Sequence, residues 1–307
     1  MIEYRGIQSQ QRINNTNSVL LLALFPILLL GMFWVIVYFI NRNQGANLNF
    51  FTTVGPVILV GTGIWFLIAW GLNTKMIQWA TGSKPLERME NKRVYNIVEN
   101  LCISCGMKTP AIFVIEDDSL NAFASGINTS SYSVTLSRGL IDKLNDEELE
   151  GVVAHELTHI RNHDTRMLII SIIFVGVFSF LAEMAFRSLR FAGGRKSGKG
   201  GGVIILVAVV VSALAYLISM LLRFGISRSR EYIADAGAAE MTKKPDALAS
   251  ALKKIAEDPG IEAVQSRDVA QLFINNPTPS QHNASWDNLF STHPPIEKRI
   301  EYLEQFV

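Results

Sequence analysis

The stretch Val153-Ala154-His155-Glu156-Leu157-Thr158-His159 governs the interpretation of this 307-residue chain. Side chains four residues apart point in the same direction on a helix, so His155 and His159 can bind one metal ion together. Glu156 follows the first histidine, which places its carboxylate where it can take a proton from a metal-bound water. A carboxylate is a strong enough base for this, because zinc lowers the pKa of a bound water to about 7. The pattern therefore predicts a zinc site.

The residues around this motif favour a buried helix over an amphipathic surface helix that merely carries two histidines. Gly151 and Ala154 are small, as in a helix packed inside a domain, where bare imidazoles need polar partners. We expect the helix to extend over Asn145–His163. Its start has the pattern of a capping box, with Asn145 as the cap and Glu148 at the third helical position.

A catalytic zinc ion needs a third protein ligand and an open position. His163 lies one turn beyond His159, but eight helical residues separate it from His155, a rise of about 12 Å. Zinc–nitrogen bonds are only about 2.1 Å long, so one ion cannot reach all three histidines. We therefore interpret His163 as a solvent-facing or substrate-side residue.

Glu231 is the best candidate for the third ligand. It lies in Ser229-Arg230-Glu231-Tyr232-Ile233-Ala234-Asp235, at the start of a helix predicted over 227–242. Asp235 follows one turn later on the same face, where it could orient a ligand histidine. Taken alone, these two residues could also be plain surface acids, and it is the histidine motif that favours the functional interpretation. Together the residues predict the zinc site of a metalloendopeptidase.

Long apolar windows indicate that the chain lies in a membrane. There are four of them: Val19–Ile40, Val54–Leu72, Met167–Phe186 and Val203–Leu222. A transmembrane helix needs roughly 20 apolar residues, which is close to the length of each window. A single window could be a buried core helix, but four together favour membrane spans. The first window is interpreted as a retained anchor, because its apolar run is longer than that of a signal peptide and no short basic segment precedes it.

The windows divide the sequence into five parts. We expect an N-terminal cytoplasmic segment (1–18), a first transmembrane helix pair (19–72), a first peptidase part (73–166), a second apolar pair (167–222) and a second peptidase part (223–307). β-Rich runs at 111–116 and 132–137 predict a small sheet. A basic, glycine-rich stretch at 187–202 is expected to form a flexible loop. The two peptidase parts are short alone, but together they match one globular domain.

Charges beside the windows predict which side the metal site faces. Basic residues flank the second window at Lys75, Lys84, Arg88, Lys92 and Arg93, which marks that side as cytoplasmic. His155 precedes the third window and Glu231 follows the fourth, so they share a side only if that pair crosses twice or neither helix crosses fully. If the pair crosses twice, the basic loop 187–202 lies on the opposite side and breaks the positive-inside rule. We keep the spanning interpretation because the window lengths fit a bilayer.

Several stretches resemble the signature motifs of the HtpX membrane metallopeptidases, which are relatives of the CAAX prenyl proteases. They are Asn121–Gly126, His155–Asp164, Ser229–Ala239 and Ser291–Pro295. The order of motifs and apolar windows matches over nearly the whole chain. The resemblance implies two histidines and a later glutamate as zinc ligands, here His155, His159 and Glu231. The fold expected is a mainly α membrane protein, with four transmembrane helices and a zincin-like α+β metallopeptidase domain that contains a small sheet.

The resemblance also implies a bacterial or archaeal inner-membrane protease that degrades damaged or unfolded membrane proteins on the cytoplasmic side. Asn121-Ala122 is similar to the edge-strand segment that binds substrate backbone in thermolysin-like enzymes, and an extended peptide could add to such a strand. An ordinary turn asparagine is the equal alternative. His293 could reach the site, but capping of a last helix over 294–305 explains it without catalysis.

Composition narrows the remaining choices. The net charge of +1 gives no sign of a nucleic-acid partner. Cys102 and Cys105 could be a redox pair or half of a zinc site, but no second cysteine pair exists, so we interpret them as small residues at a helix end. The partners expected are protein substrates and the lipid bilayer, and the oligomeric state stays open. Two other functions also stay open: a zinc-stabilised scaffold without turnover, which Glu156 argues against, and a CAAX-type protease acting on lipidated tails.

Overall fold

The computed structural model of the protein describes residues 7–44, 48–192, 205–214, 216, 228–257, 273–274 and 294–306. The chain divides into two compact units. The mixed unit, which contains both helices and strands, comprises Met1–Thr16, Leu72–Ile169 and Phe224–Val307. The helical unit comprises Asn17–Gly71 and Ile170–Arg223.

Helices dominate the described residues, and all strands lie in the mixed unit. In chain order the elements are α1 (Ile7–Gln44), α2 (Gly55–Thr81), β1 (Lys84–Pro85), α3 (Lys92–Ser104), β2 (Ala111–Ile115), β3 (Ala122–Ser125), β4 (Ser133–Ser137), α4 (Arg138–Lys143), α5 (Asp146–Arg161), α6 (Asp164–Ala192), α7 (Ile205–Leu214), α8 (Arg228–Thr242), α9 (Pro245–Glu257) and α10 (Ile296–Glu304). A single π-helical turn, Phe50–Val54, leads into α2.

The four strands form one sheet in the order β1-β2-β4-β3. The central strands β2 and β4 are parallel, and β1 and β3 pair antiparallel with their neighbours. In the pairing of β3 with β4, Ala122 lies opposite Leu136 and Ala124 opposite Val134. Strand β3 is therefore an edge of the sheet, and one side of its backbone is not used by another strand of the sheet.

Helix α5 is the centre of the mixed unit, where it packs against α3, α8, α9 and β3. Its contact with α8 is very close, because a Cβ atom at Gly237 would lie 2.5 Å from Thr158 Cγ2. Its contact with α9 is also tight, since a Cβ atom at Gly151 would lie 3.1 Å from Leu248 Cα. The glycine at 237 therefore lets α8, which carries Glu231, approach the helix that carries the histidines, and the glycine at 151 lets α9 pack closely on the same helix.

The start of α5 is fixed by side chains on both sides of the helix end. The predicted capping box is present: Asn145 Oδ1 accepts from the Glu148 N–H, and Glu148 Oε2 accepts from the Asn145 N–H. Glu148 is buried and also accepts from Lys254 Nζ and Ser250 Oγ of α9, each at 2.7 Å. Glu148 therefore caps the start of α5 and also links α5 to α9.

Apolar helices make up the helical unit. Phe25 of α1 stacks on Phe174 of α6 with ring centroids 4.0 Å apart, and meets Phe178 edge-on at 5.3 Å. Within the described residues, three segments are long and apolar enough to cross a membrane, namely Gln11–Arg42, Phe50–Thr81 and Asp164–Met184. Large apolar side chains such as Val57 and Leu67 are exposed on α2, as expected for a surface in contact with lipid.

The predicted fourth span, Val203–Leu222, falls only partly within the described residues. The described part of this helix, α7 (Ile205–Leu214), is shorter than a bilayer crossing needs, so the count of four spans stays a prediction. Helix α6 continues to Ala192, and the first residues of the expected loop 187–202 are therefore helical. The rest of that stretch lies outside the described residues.

Other elements differ from the sequence-based expectation at their ends. Helix α1 begins at Ile7, so residues 7–18 of the expected N-terminal segment are helical and continuous with the first apolar window. Strand β1 was not predicted. Helix α10 begins at Ile296, after Pro295. The physical reason is tertiary: these residues make contacts with distant parts of the chain that local patterns do not encode.

Candidate active site

Helix α5 and the first turn of α8 bring the three predicted ligands together. His155 Nε2 lies 3.1 Å from His159 Nε2. The two carboxylate oxygens of Glu231 lie 3.6 Å from these nitrogens, one oxygen on each. The three ligand atoms all fall within 4.8 Å of one another. His155 and Glu231 are buried, and His159 is half-buried.

This cluster has the composition and the dimensions of a zinc site. Zinc bonds of about 2.1 Å in a tetrahedral arrangement put neighbouring ligand atoms about 3.4 Å apart, which is close to the separations given above. Two imidazole nitrogens and one carboxylate oxygen are also the donor set of catalytic zinc sites that keep one position open. The residues present therefore fit the ion.

A buried acid and a buried arginine hold His155. Asp235 Oδ1 lies 2.9 Å from His155 Nδ1, an arrangement that leaves Nε2 for a metal. Arg299 of α10 donates to both oxygens of Asp235, from Nε at 2.9 Å and from Nη2 at 2.7 Å. Its Nη1 lies 3.3 Å from Glu231 Oε2. One arginine therefore contacts both the acid behind His155 and the predicted glutamate ligand.

A different acid holds His159. Asp164, the first residue of α6, places Oδ2 2.9 Å from His159 Nδ1. Its other oxygen, Oδ1, accepts from Asn14 Nδ2 at 2.6 Å, and Arg230 Nη1 lies 3.8 Å from the same atom. In both histidines, therefore, Nδ1 contacts a carboxylate and Nε2 points towards the cluster.

Glu156 is buried next to His155 and contacts the edge strand. Its carboxylate accepts a hydrogen bond from the backbone N–H of Ala124 in β3. Burial raises the pKa of Glu156 above its ordinary value, although the two histidines act in the opposite direction. A raised pKa makes this carboxylate a stronger base than an exposed glutamate, as a group that accepts and returns a proton requires.

The charges behind His155 determine whether Nδ1 of His155 or the carboxylate of Asp235 carries the proton between them. Burial raises the pKa of Asp235, but Arg299 and His155 outweigh burial and hold it below its ordinary value. Burial and Arg299 act to lower the pKa of His155, but the hydrogen bonds to Asp235 and Glu231 raise it to about 9. Asp235 is therefore the ionised acceptor. A metal ion and a proton would compete for Nε2.

The predicted substrate-binding pair, Asn121 and Ala122, lies at the start of the edge strand β3 and is buried. The Ala122 N–H donates to the side-chain oxygen of Asn121 at 3.0 Å. The Ala122 carbonyl accepts the backbone N–H of Ile274 at 2.8 Å. Phe273 packs edge-on against Phe123 with ring centroids 4.7 Å apart. The outer edge of β3 is therefore bonded here to a distant part of the same chain.

The remaining candidates lie apart from the cluster. His163 was expected to face solvent or substrate, but it is half-buried and its Nδ1 lies 2.9 Å from Asn15 Oδ1. Its backbone φ of 63° makes the turn that separates α5 from α6. Cys102 is buried, Cys105 is half-buried, and both are free thiols. His293 lies outside the described residues.

Sequence reasoning missed three residues that support the site: Asn14, Asp164 and Arg299. Asp164 carried the strongest signal, because it closes the family-like stretch His155–Asp164. Asn14 stands in a run of asparagines and glutamines before the first apolar window, a composition with no specific meaning by itself. Arg299 had no signal, because nothing local distinguishes a buried arginine from a surface one.

Comparison with known proteins identifies relatives of the whole chain. Residues 88–307 match the family described as Peptidase family M48. A Protease HtpX homolog of Bacteroides fragilis (strain ATCC 25285) is 55% identical, with 99% of this chain and 100% of that protein covered. A Protease HtpX homolog of Lactobacillus helveticus is 36% identical, with 91% and 95% covered.

Among solved structures, the crystal structure of S. mikatae Ste24p is similar, with a TM-score of 0.52 and 20% sequence identity. The match covers 96% of this chain and 67% of that one. At this identity the likeness concerns the fold alone. Together with the apolar helices and the small sheet, it confirms the expected fold class. By the family match and by identity to its relatives over nearly its full length, the chain belongs to peptidase family M48 and is an HtpX-like membrane metallopeptidase.

Proposed function

We propose that this chain is a zinc-dependent endopeptidase in which His155, His159 and Glu231 bind the ion and Glu156 is the catalytic base. One observation carries the proposal. Both imidazole Nε2 atoms and one carboxylate converge within 4.8 Å, while each Nδ1 lies 2.9 Å from a separate acid. Imidazoles held in this way are oriented as metal ligands, whereas a pair of surface histidines needs no such support.

Zinc bound at this site would supply a Lewis acid that polarises the scissile carbonyl and lowers the pKa of a water molecule. Glu156 holds the proton that the attacking water gives up and delivers it to the leaving amine. The Ala124 N–H fixes the direction of that carboxylate. Asp235 and Asp164 keep the imidazole protons on Nδ1, so that each Nε2 lone pair stays available.

Asn121 and Ala122 are proposed to bind the substrate main chain as a strand added beside β3. Three observations support this assignment. β3 is an edge strand, and it reaches the proposed catalytic base through Ala124. In addition, the Ala122 carbonyl accepts a backbone N–H from Ile274, which is the kind of contact that a substrate main chain would make. Substrate and Ile274 would then compete for one acceptor.

The proposed substrates are damaged or unfolded membrane proteins, cleaved at the cytoplasmic face of a bacterial or archaeal inner membrane. Strand addition binds the main chain and so tolerates varied sequences, as required for unfolded substrates. The relatives at 55% and 36% identity are bacterial proteins named Protease HtpX homolog. The basic residues Lys75 and Lys84, beside the second apolar window, support the cytoplasmic orientation.

The proposal is tested with Glu156→Gln, purified in detergent, by zinc analysis and by cleavage of an unfolded protein. The variant should retain about one zinc per chain and lose cleavage by about 100-fold or more, the usual contribution of a general base. Glu147→Gln is the matched control, because Glu147 lies in the first turn of the same helix with its side chain 63% exposed. It should cleave like the wild type.

Two results would contradict the proposal. Equal cleavage by wild type and Glu156→Gln would refute the role given to Glu156. A wild-type protein that retains zinc without cleaving any unfolded substrate would favour the zinc-stabilised scaffold instead. Loss of zinc on replacement of Glu231 by glutamine, with the fold retained, would support its role as third ligand.

A further inference from the structure

We infer that Asn14, near the start of the first apolar helix, is a positioning residue for the metal ligand His159. The inference rests on the proposed function, because it concerns a ligand of the proposed zinc ion. Asn14 is 1% exposed and lies 150 residues from Asp164, to which it donates at 2.6 Å. Asp164 in turn contacts His159 Nδ1.

We call the contacts from Asn14 through Asp164 to His159 the relay. It is well fixed because both oxygens of Asp164 have a partner. Oδ2 contacts His159 and Oδ1 accepts from Asn14, so the carboxylate plane is held at two points. Asp164 is 4% exposed, so solvent is poorly placed to replace the amide. Arg230 Nη1 is 3.8 Å from Oδ1, which is beyond hydrogen-bond range. Asn14 is therefore the neighbour whose amide directs Asp164 at the histidine.

The same face of α1 also holds the end of the metal-binding helix. Asn14 Nδ2 donates to the Asn162 carbonyl at 2.8 Å, and Gln11 Nε2 donates to the Arg161 carbonyl at 2.6 Å. The last carbonyls of a helix lack partners within the helix, so α1 supplies donors where α5 ends. Residues 11, 14 and 15 lie at helical spacing on one face.

The turn between α5 and α6 needs this support. His163 adopts a left-handed backbone, with φ of 63°, and such a conformation costs of order 1 kcal/mol or more in a residue other than glycine. Asn15 Oδ1 contacts both His163 Nδ1 at 2.9 Å and Arg166 Nη1 at 3.2 Å. α1 thus contacts the turn itself as well as the acid that follows it.

These contacts assign a purpose to the polar stretch that precedes the first apolar window. Its amides dock on the α5–α6 turn, and one of them reaches the carboxylate behind a zinc ligand. The prediction is specific to Asn14. Gln11 bonds to the Arg161 carbonyl and Asn15 to the side chains of His163 and Arg166, so both hold the same turn without bonding to Asp164 and serve as matched positions.

The experiment measures zinc affinity of the metal-free, full-length protein in detergent by competition with a chromophoric chelator. Asn14→Ala should weaken zinc binding by roughly three- to tenfold, somewhat less than the 10–100-fold usual for a residue that contacts a ligand directly. Gln11→Ala, the matched control, should stay within about twofold of wild type, because it removes a contact to a backbone carbonyl only.

A double-variant cycle separates positioning from general stability. If Asn14 acts through Asp164, then Asn14→Ala should weaken zinc binding much less in an Asp164→Asn background than in the wild type. A merely structural role would give the same loss in both backgrounds. Unfolding curves of the metal-free variants identify any variant that fails to fold. If Asn14→Ala fails to fold, Asn14→Ser, which retains a hydrogen-bond donor, replaces it in the cycle.

The outcomes distinguish this inference from the proposed function. Wild-type zinc affinity in Asn14→Ala, an equal loss in Gln11→Ala, or additive losses in the cycle would each overturn the inference while leaving the zinc site intact. A wild-type protein that binds no zinc would overturn the proposed function, and the inference with it. A loss confined to Asn14→Ala and absent from the Asp164→Asn background would establish the relay.

Discussion

His155 and His159 are held by the same kind of contact in different surroundings. Each has Nδ1 2.9 Å from an aspartate oxygen. The side chain of His155 is 1% exposed, whereas that of His159 is 15% exposed. The acid behind His155 is ion-paired with the buried Arg299, and the acid behind His159 bonds to the neutral amide of Asn14.

The two acids therefore differ in what holds them: Asp235 forms a close, buried ion pair with Arg299, whereas Asp164 accepts a neutral hydrogen bond and has Arg230 Nη1 at the longer distance of 3.8 Å. Removing one partner of a buried ion pair leaves an uncompensated charge and costs several kcal/mol. Removing a neutral donor costs about 1–3 kcal/mol. We therefore expect the His155 side to tolerate substitution less well than the His159 side.

The largest effect is expected from Arg299→Met, which removes the positive partner of Asp235 and leaves that carboxylate buried. The free energy of unfolding should fall by about 3–5 kcal/mol. Urea denaturation of the metal-free protein in detergent measures it, because bound zinc would otherwise add its own stabilisation.

Two variants test this explanation. Asp235→Asn in the Arg299→Met background removes the stranded charge and should recover part of the loss. Arg88→Met is the matched exposed position, since the Arg88 side chain is 56% exposed in its ion pair with Glu99. It should cost less than about 1 kcal/mol. Similar losses from the two arginines would mean that burial does not set the difference.

The next effect compares the two acids directly. Asp235→Asn and Asp164→Asn each remove the charge behind one histidine, and each should weaken zinc binding by about 10–100-fold. The loss should be larger for Asp235→Asn, because that side is fully buried and Arg299 loses the carboxylate that accepts two of its hydrogen bonds. Chelator competition on the metal-free variants gives both values. A greater loss from Asp164→Asn would reverse the comparison.

A smaller effect is expected at Ile274, whose carbonyl accepts from Arg299 Nη1 at 3.2 Å on the His155 side. Ile274→Pro removes the N–H that bonds to Ala122 and frees that carbonyl for substrate. KM for an unfolded protein should fall about fivefold, equivalent to one net hydrogen bond of about 1 kcal/mol, with kcat unchanged. Ile274→Val keeps the N–H and should match the wild type. A higher KM in the proline variant would argue against competition.

The smallest effect is expected at Glu148, at the start of α5. Because α5 carries both histidines, a change there should affect the His155 side and the His159 side equally. Burial raises the pKa of Glu148, but Lys254, Asn145 and Ser250 outweigh it and hold the pKa below its usual 4.5. A lowered folded-state pKa stabilises the protein above about pH 4.5, and this stabilisation is lost as the pH falls through the folded-state value.

Glu148→Gln should therefore cost about 1 kcal/mol at pH 7, and progressively less as the pH drops below about 4.5. Glutamine can still complete the capping box, so the comparison isolates the charge. Urea unfolding of both proteins at a series of pH values measures the difference. A difference that stays constant down to pH 3 would mean that the charge of Glu148 is not its source.

Several features of the fold could be predicted because they are local. The capping box at Asn145 and Glu148 is present, and the predicted strands at 111–116 and 132–137 correspond to β2 and β4. The spacing of His155 and His159 on one helix required no tertiary information. Glu231 was found from motif order, and its oxygens lie 3.6 Å from the two Nε2 atoms.

The features that local patterns did not predict concern residues whose conformation depends on distant partners. Residues 7–18 of the expected N-terminal segment are continuous with the anchor helix, because α1 starts at Ile7, and its amides bond to the end of α5. His163, which was predicted to face solvent or substrate, is half-buried in the turn that brings Asp164 to His159. Neither the length of an apolar window nor a residue type contains this information.

The amino-acid sequence alone determined the chemistry of the site: two imidazoles one helical turn apart, a carboxylate between them, and apolar segments long enough for a bilayer. These follow from helix geometry over a few residues. The groups that hold each acid in place depend on the packing of distant segments, since Arg299 lies 64 residues from Asp235 and Asn14 lies 150 residues from Asp164. At such separations a contact depends on how whole helices pack, and no local pattern specifies it.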